Sequence, residues 1–205
     1  MTVTVKTALG SHCVGRWEPN SRGRLQEAAL TLFAERGFDQ TTAAQIAEAA
    51  GLTERTFFRH FADKREVLFG GSDLLGNQVV AAVKAAPPHD SPLDAVARGL
   101  DAAAAMLGQG RRDLARRRHS VIIGNPELRE REFAKLADYS SAIAAVLRDR
   151  GVGEPHATMA ADAGTTILRV ALQRWSNDRD DGPDLSAVLH DALAQWRAMA
   201  ATGAL

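Results

Sequence analysis

Arg55, Thr56, Phe58 and Arg59 stand together in the run Thr53-Glu54-Arg55-Thr56-Phe57-Phe58-Arg59-His60. At helical spacing, Phe57 and Phe61 lie four apart and share one face. The other four then form the opposite face: two guanidiniums, a hydroxyl and an aromatic ring. Such groups have a joint chemistry. Arginine bonds the guanine edge bidentately, and an apolar ring can touch a thymine methyl. His60 and Lys64 lie at the edges of this face, where phosphate contacts belong. Nothing in the sequence offers these groups an internal partner.

The flanking segments must position that face. Thr42 suits an N-cap, because its hydroxyl can accept from an unpaired first-turn amide. Ile46, Ala47 and Ala50 follow at helical spacing. Gly51 suits the left-handed residue that ends a helix, and Thr53 caps the next one. Asp63 and Glu66 form a capping-box pattern, which predicts a third helix from Asp63 to about Ala85. Its opening amides, with Lys64 beside them, would favour a phosphate. Before this stretch, Arg22 to Phe38 reads as one amphipathic helix with Leu25, Ala28, Ala29, Leu32 and Phe33 inside, ending at Gly37. A short helix, a glycine turn and a second short helix make a helix-turn-helix. The same spacing also fits a plain core hairpin.

The segment resembles the DNA-binding head of TetR-type transcriptional regulators. The resemblance lies in A-A-L-T-L-F-A-E-R-G-F-D-Q-T-T at 28–42, I-A-E-A-A-G-L-T at 46–53 and T-F-F-R-H-F-A-D-K-R-E-V-L at 56–68. It implies that Thr53, Arg55, Thr56, Phe58, Arg59 and His60 meet DNA, and that Thr42 and Lys64 meet phosphates. Two positions depart from the family pattern. Phe58 stands where Tyr is common, and Ala43-Ala44 stand where larger or polar residues are common. Base reading therefore rests on Arg55 and Arg59.

Beyond the head, turn signals divide the chain into further helices. Pro87-Pro88 ends one, and Ser91-Pro92 opens another, with Leu93, Val96, Leu100 and Leu107 as its buried stripe. The next spans Arg112 to Ile123. Another runs from Glu127 to Arg150 and is expected to bury Leu128, Phe133, Leu136, Tyr139 or Ser140, Ile143 and Leu147. The last two cover Pro155 to Asn177 and Asp184 to Ala200, around the acidic loop 177–183. The expected fold is all-α. Residues 1–20 form an arm, 21–68 a three-helix DNA-binding head, and 69–205 a larger helical bundle.

The resemblance further implies that the last two helices build a homodimer interface and that the middle helices enclose a pocket for a small-molecule effector. Met106, Arg116, His119, Ile122, Phe133 and Tyr139 are the candidate lining. Arg111, Arg112, Arg116, Arg117, Arg118 and His119 cluster before the apolar Val121-Ile122-Ile123. That cluster reads either as a salt-bridged face answering Glu127, Glu130 and Glu132, or as an anion-accepting mouth for an amphipathic acid or acyl-CoA-like molecule. The run R-R-R-H-S-V-I-I-G-N-P-E-L-R-E-R-E is similar to regulators of the latter kind.

Composition agrees with a regulator. The chain has 205 residues, and its 25 Lys and Arg balance 25 Asp and Glu, so the net charge is zero. A non-specific nucleic-acid binder would be basic throughout, so binding should be local and shared by two heads on a palindromic double-stranded operator. Cys13 is alone, which rules out an intrachain disulfide and fits a reducing cytoplasm. The histidines lack paired metal spacing. No phosphate loop, nucleophile elbow or helical His-Glu-x-x-His appears, so neither enzyme nor cofactor is expected. No apolar run approaches the roughly 20 residues of a membrane span. Lys6, Arg16, Arg22 and Arg24 can lay charge along DNA, while Trp17 has no assigned partner. A helical small-molecule or lipid binder without DNA binding is the alternative. It leaves the Arg55–Arg59 face without a purpose.

Overall fold

The computed structural model describes residues 20–107, 111–178 and 181–202. The expectations for Lys6, Cys13, Arg16 and Trp17 lie outside them. All ten elements among the described residues are helices: α1 (Ser21–Arg36), α2 (Ala43–Ala49), α3 (Glu54–His60), α4 (Glu66–Phe69), α5 (Ser72–Lys84), α6 (Pro92–Leu107), α7 (Arg112–Ile123), α8 (Pro126–Asp149), α9 (His156–Asn177) and α10 (Leu185–Thr202). The all-α expectation holds.

Capping chemistry sets the starts. Thr42 accepts from the Gln45 amide while the Gln45 side chain accepts from the Thr42 amide, a complete capping box. Thr53 Oγ1 accepts from the Thr56 amide. Between α2 and α3, Gly51 has φ +65°, a left-handed conformation that a side chain resists. Asn125 Oδ1 accepts from the Glu127 and Leu128 amides and opens α8, with Pro126 at its first position.

The third helix of the head is shorter than its sequence predicts. Asp63 Oδ1 accepts from the Arg65 and Glu66 amides, but the Glu66 side chain turns away to Arg131 and Lys135. The helical run is then broken at Gly70-Gly71, where Gly71 takes φ +98°. Apolar spacing continues through this point, so only the paired glycines mark the interruption.

Two clusters hold the molecule. One joins α1–α4 through Leu25, Ile46, Phe57, Phe61 and Val67, and it also recruits Ile122 and Leu128 from the α7–α8 corner. The other joins α5, α6, α8, α9 and α10 through Val83, Val96, Leu147, Ile167, Trp175 and Leu189. Ile122 and Leu128 are both fully buried. They fasten the head to the bundle. Phe133, expected inside, is 60% exposed on the outer face of α8. The buried line of that helix passes through Leu128, Ser140, Ile143, Ala144 and Leu147, and Phe133 lies off it.

Candidate nucleic-acid interface and central cavity

In the head, α3 presents the face that its sequence describes. Phe57 is fully buried, and its ring lies 5.4 Å from Phe58 and 5.5 Å from Phe61. That anchor turns Phe58 outward, where it is 52% exposed. Arg55 and Arg59 are exposed alongside it. Thr53 and Thr56 share a hydroxyl–hydroxyl hydrogen bond of 3.0 Å at the start of the helix. Thr42 is exposed at the start of α2.

Lys64 has a different situation. Its ammonium donates to the carbonyls of Phe38 (2.8 Å), Thr41 (3.2 Å) and Asp39 (3.4 Å) and sits 4.3 Å from the Phe38 ring centroid. An ammonium has three N–H groups, and three carbonyls take them. Lys64 therefore pins the 37–42 loop and with it the start of α2, rather than standing ready for a phosphate. Lys64→Met should lower stability by about 1–3 kcal/mol, because half-buried carbonyls lose a charged donor. The slope of DNA affinity against salt should stay as in the wild type; a shallower slope would restore the phosphate role.

His60 is half-buried, and its Nε2 has no hydrogen-bond partner. Burial first, then Arg59 and Arg22, hold its pKa below the ordinary histidine value of 6.5. The unfolded chain therefore binds more protons than the folded one between the folded pKa and 6.5, so stability falls as pH drops through that window. His60→Gln should flatten this acid-side loss relative to wild type in melting curves from pH 7 to 5. Parallel curves would show that His60 does not contribute. Arg22 lies over the Phe61 ring at 5.3 Å. Arg24 donates to the Ala50 carbonyl at the end of α2. Both brace the head.

The arginine run of α7 divides its labour. Arg112 donates to the Gly182 and Pro183 carbonyls. Arg116 donates to the Ser176 and Asp178 carbonyls, so it ties α7 to the end of α9. Arg117 pairs with Glu27 of α1 and with Asp113. Arg118 pairs with Glu132 and donates to the Leu68 carbonyl of α4. One helix thus touches both the head and the α9–α10 pair.

A cavity of about 270 Å³ lies beneath this helix, between the head and the bundle. Leu68 and Phe69 of α4, Leu75, Met106, Leu114, Leu136, Leu168, Leu172 and Trp175 give it an apolar lining. Gln26 reaches it from α1. Arg111, Arg118, Lys135 and Arg169 line it; Glu132 pairs with Arg118, and Asp73 and Glu66 pair with Lys135, so Arg111 and Arg169 are the charges that favour an anion there. The Tyr139 hydroxyl donates to the Ser72 carbonyl. Burial raises the pKa of this phenol. Ser72 Oγ and His119 Nε2 are buried beside the cavity with no hydrogen-bond partner among the described residues.

Of the residues named from sequence, Met106, His119 and Tyr139 line this cavity, while Arg116, Ile122 and Phe133 do not. Arg116 is engaged by the α9 carbonyls, Ile122 belongs to the head cluster, and Phe133 faces outward. Gln26 and Ser72 carried no sequence signal, because their role depends on where α4 ends. Among the described residues, no group of three or more His, Cys, Asp and Glu is placed to hold a metal ion.

Residues 25–69 match the model of the bacterial regulatory proteins of the tetR family, and residues 90–201 match that of the MftR C-terminal domain. The chain belongs to the TetR family. It is accordingly a DNA-binding transcriptional regulator. The regulator MftR of Mycobacterium tuberculosis is 27% identical over 181 residues, which span 88% of this chain and 91% of MftR. TcmR of Streptomyces glaucescens is 41% identical over 76 residues, 37% of this chain and only 34% of TcmR. That match therefore speaks for about a third of the relative. Among solved structures, the fatty acid degradation regulator FadR of Bacillus halodurans has TM-score 0.55 at 18% identity, covering 86% of this chain and 94% of its own. SmeT of Stenotrophomonas maltophilia has TM-score 0.55 at 21% identity, covering 88% and 89%. These two likenesses concern the fold. Among the described residues, no helix is long and apolar enough to cross a membrane.

Proposed function

We propose that the chain acts in the cytoplasm as a homodimeric repressor that grips a palindromic operator through two copies of α3 and releases it when an amphipathic anion enters the cavity. The observation that carries this reading is the outward face of α3. Arg55, Phe58 and Arg59 are exposed there, and neither arginine has a hydrogen bond or ion pair with the described residues. Arg55 and Arg59 read base edges, and Phe58 touches a thymine methyl. Thr42, Thr53, Thr56 and His60 border this face toward the phosphates.

The dimer forms through α9 and α10. Met159 and Met199 are 64% and 44% exposed at the same end of that folded-back pair, and Ala187, Ala194 and Ala198 are exposed along α10. Exposed apolar groups on neighbouring helices support a protein interface. A two-fold dimer sets two heads against half-sites about one helical turn apart. The cavity's apolar lining and cationic excess support an amphipathic acid as effector, acyl-CoA-like molecules included. Release follows if the effector prefers an arrangement in which the heads no longer match successive major grooves.

Selection of bound sequences from random double-stranded DNA tests this, using the full chain with its mass followed by light scattering. The expected product is an inverted repeat bound by a dimer. Enrichment no better than that of an unrelated helical protein would leave only a small-molecule binder.

A further inference from the structure

The four-residue α4 is the last helix of the head, and it leaves carbonyls unpaired at its end, as every helix does. Gly70 and Gly71 prevent the next turn from supplying their donors. Side chains from elsewhere supply them instead. Gln26 Nε2 donates to the Val67 and Gly70 carbonyls from within the head. Arg118 Nε donates to the Leu68 carbonyl from the bundle, at 2.8 Å. The same guanidinium lies 5.2 Å from the centroid of the Phe69 ring and holds Glu132 of α8 at 2.9 Å. Arg118, Leu68, Phe69 and Glu132 all line the cavity. Arg131 and Lys135 hold Glu66 at the start of α4, and Arg118 fastens its end at the place where a ligand arrives.

We propose that Arg118 reads the effector's anionic group and passes that reading to α4. The inference rests on the ligand-released regulator described above and assigns its sensing residue. A neutral carbonyl is a weaker partner for a guanidinium than a carboxylate or phosphate, which forms shorter, charge-assisted and bidentate bonds. An anion in the cavity draws Arg118 away from Leu68. The end of α4 then loses its only donor from the bundle among those described, and the Gly70-Gly71 break lets it move. Glu132 keeps Arg118 in place while the cavity lacks an anion. The ligand prefers the arrangement with the guanidinium turned toward it, and that difference in affinity is what shifts the head. An uncharged molecule of the same length fills the apolar lining without taking Arg118.

The test uses the full-length dimer, its selected operator, and two probes of equal chain length, decanoate and decanol. Decanoate should release the wild-type complex and decanol should not. Arg118→Met should bind the operator at least about tenfold more weakly without any ligand, a coupling of ordinary size, and decanoate should produce no further loss. Its dimer mass and melting profile report that it is folded, and faster amide exchange at residues 66–72 should accompany the loss. Arg118→Lys should recover part of both operator affinity and decanoate response. Wild-type operator affinity in Arg118→Met would overturn the proposal. So would equal release by the two probes, or no release of the wild type by decanoate. A wild-type chain that selects no DNA would instead sink the regulator reading itself.

Discussion

Phe57→Ala should unfold the DNA-binding head while leaving the dimer assembled. Phe57 is fully buried at the centre of the head cluster and touches the rings of both Phe58 and Phe61. Truncating a buried Phe to Ala costs about 3–5 kcal/mol, the sum of lost transfer energy and the cavity left behind. A typical domain is stable by only about 5–15 kcal/mol in total, so the head has little left. The bundle has its own cluster on α5, α6, α8, α9 and α10, and Phe57 is not part of it. Operator binding should therefore vanish while the mass in solution stays that of the wild type. The head also borrows Ile122 and Leu128, so the urea midpoint of the bundle should fall slightly rather than stay fixed. Phe57→Leu, closer in volume, should cost on the order of 1 kcal/mol and keep DNA binding. An unchanged urea profile for Phe57→Ala would mean that the ring supports little.

The contrast between Phe57 and Lys64 shows what was legible in the sequence. Phe57, Thr42, Thr53 and Gly51 make contacts with neighbours within four residues, and local periodicity and capping rules describe such contacts. The head was readable for that reason. Lys64 acts on the carbonyls of Phe38, Asp39 and Thr41, 23 to 26 positions back. A carbonyl has no residue type, so no pattern of residues foretells it. The same holds for Arg112, Arg116 and Arg118, which serve carbonyls 50 to 71 positions distant. Their clustering was visible and their direction was not. Apolar spacing failed differently. It placed Phe133 inside, because a buried stripe on a 24-residue helix turns with the partners it meets. It also ran the third head helix through Gly70-Gly71, where the pattern continues and the backbone does not. The cavity depends on that break, and so its lining was the least legible part.

Arg55→Ala and Arg59→Ala, made separately, should each lower operator affinity strongly, and the manner of the loss identifies the contact. A bidentate arginine–guanine pair is worth about 1–3 kcal/mol of discrimination. A symmetric dimer makes each contact twice, so one substitution should cost roughly 2–6 kcal/mol per operator if the two half-sites add. Neither residue supports the fold through a hydrogen bond or ion pair among those described, and both are exposed, so melting should barely change. If the arginine reads a base, repeated selection should show one relaxed position in each half-site, symmetrically placed. If it meets a phosphate instead, binding should weaken evenly across sequences, and the salt slope should fall by about one per contact, hence about two per dimer. The two outcomes differ in kind, so one selection and one salt titration per variant separate them. Neutral overall charge sharpens the comparison. With 25 cationic residues against 25 acidic ones, the chain has no general attraction for DNA to mask the loss of a single guanidinium. Two variants that bind as the wild type does, with unchanged slope and selected sequence, would move the DNA contact away from α3 altogether.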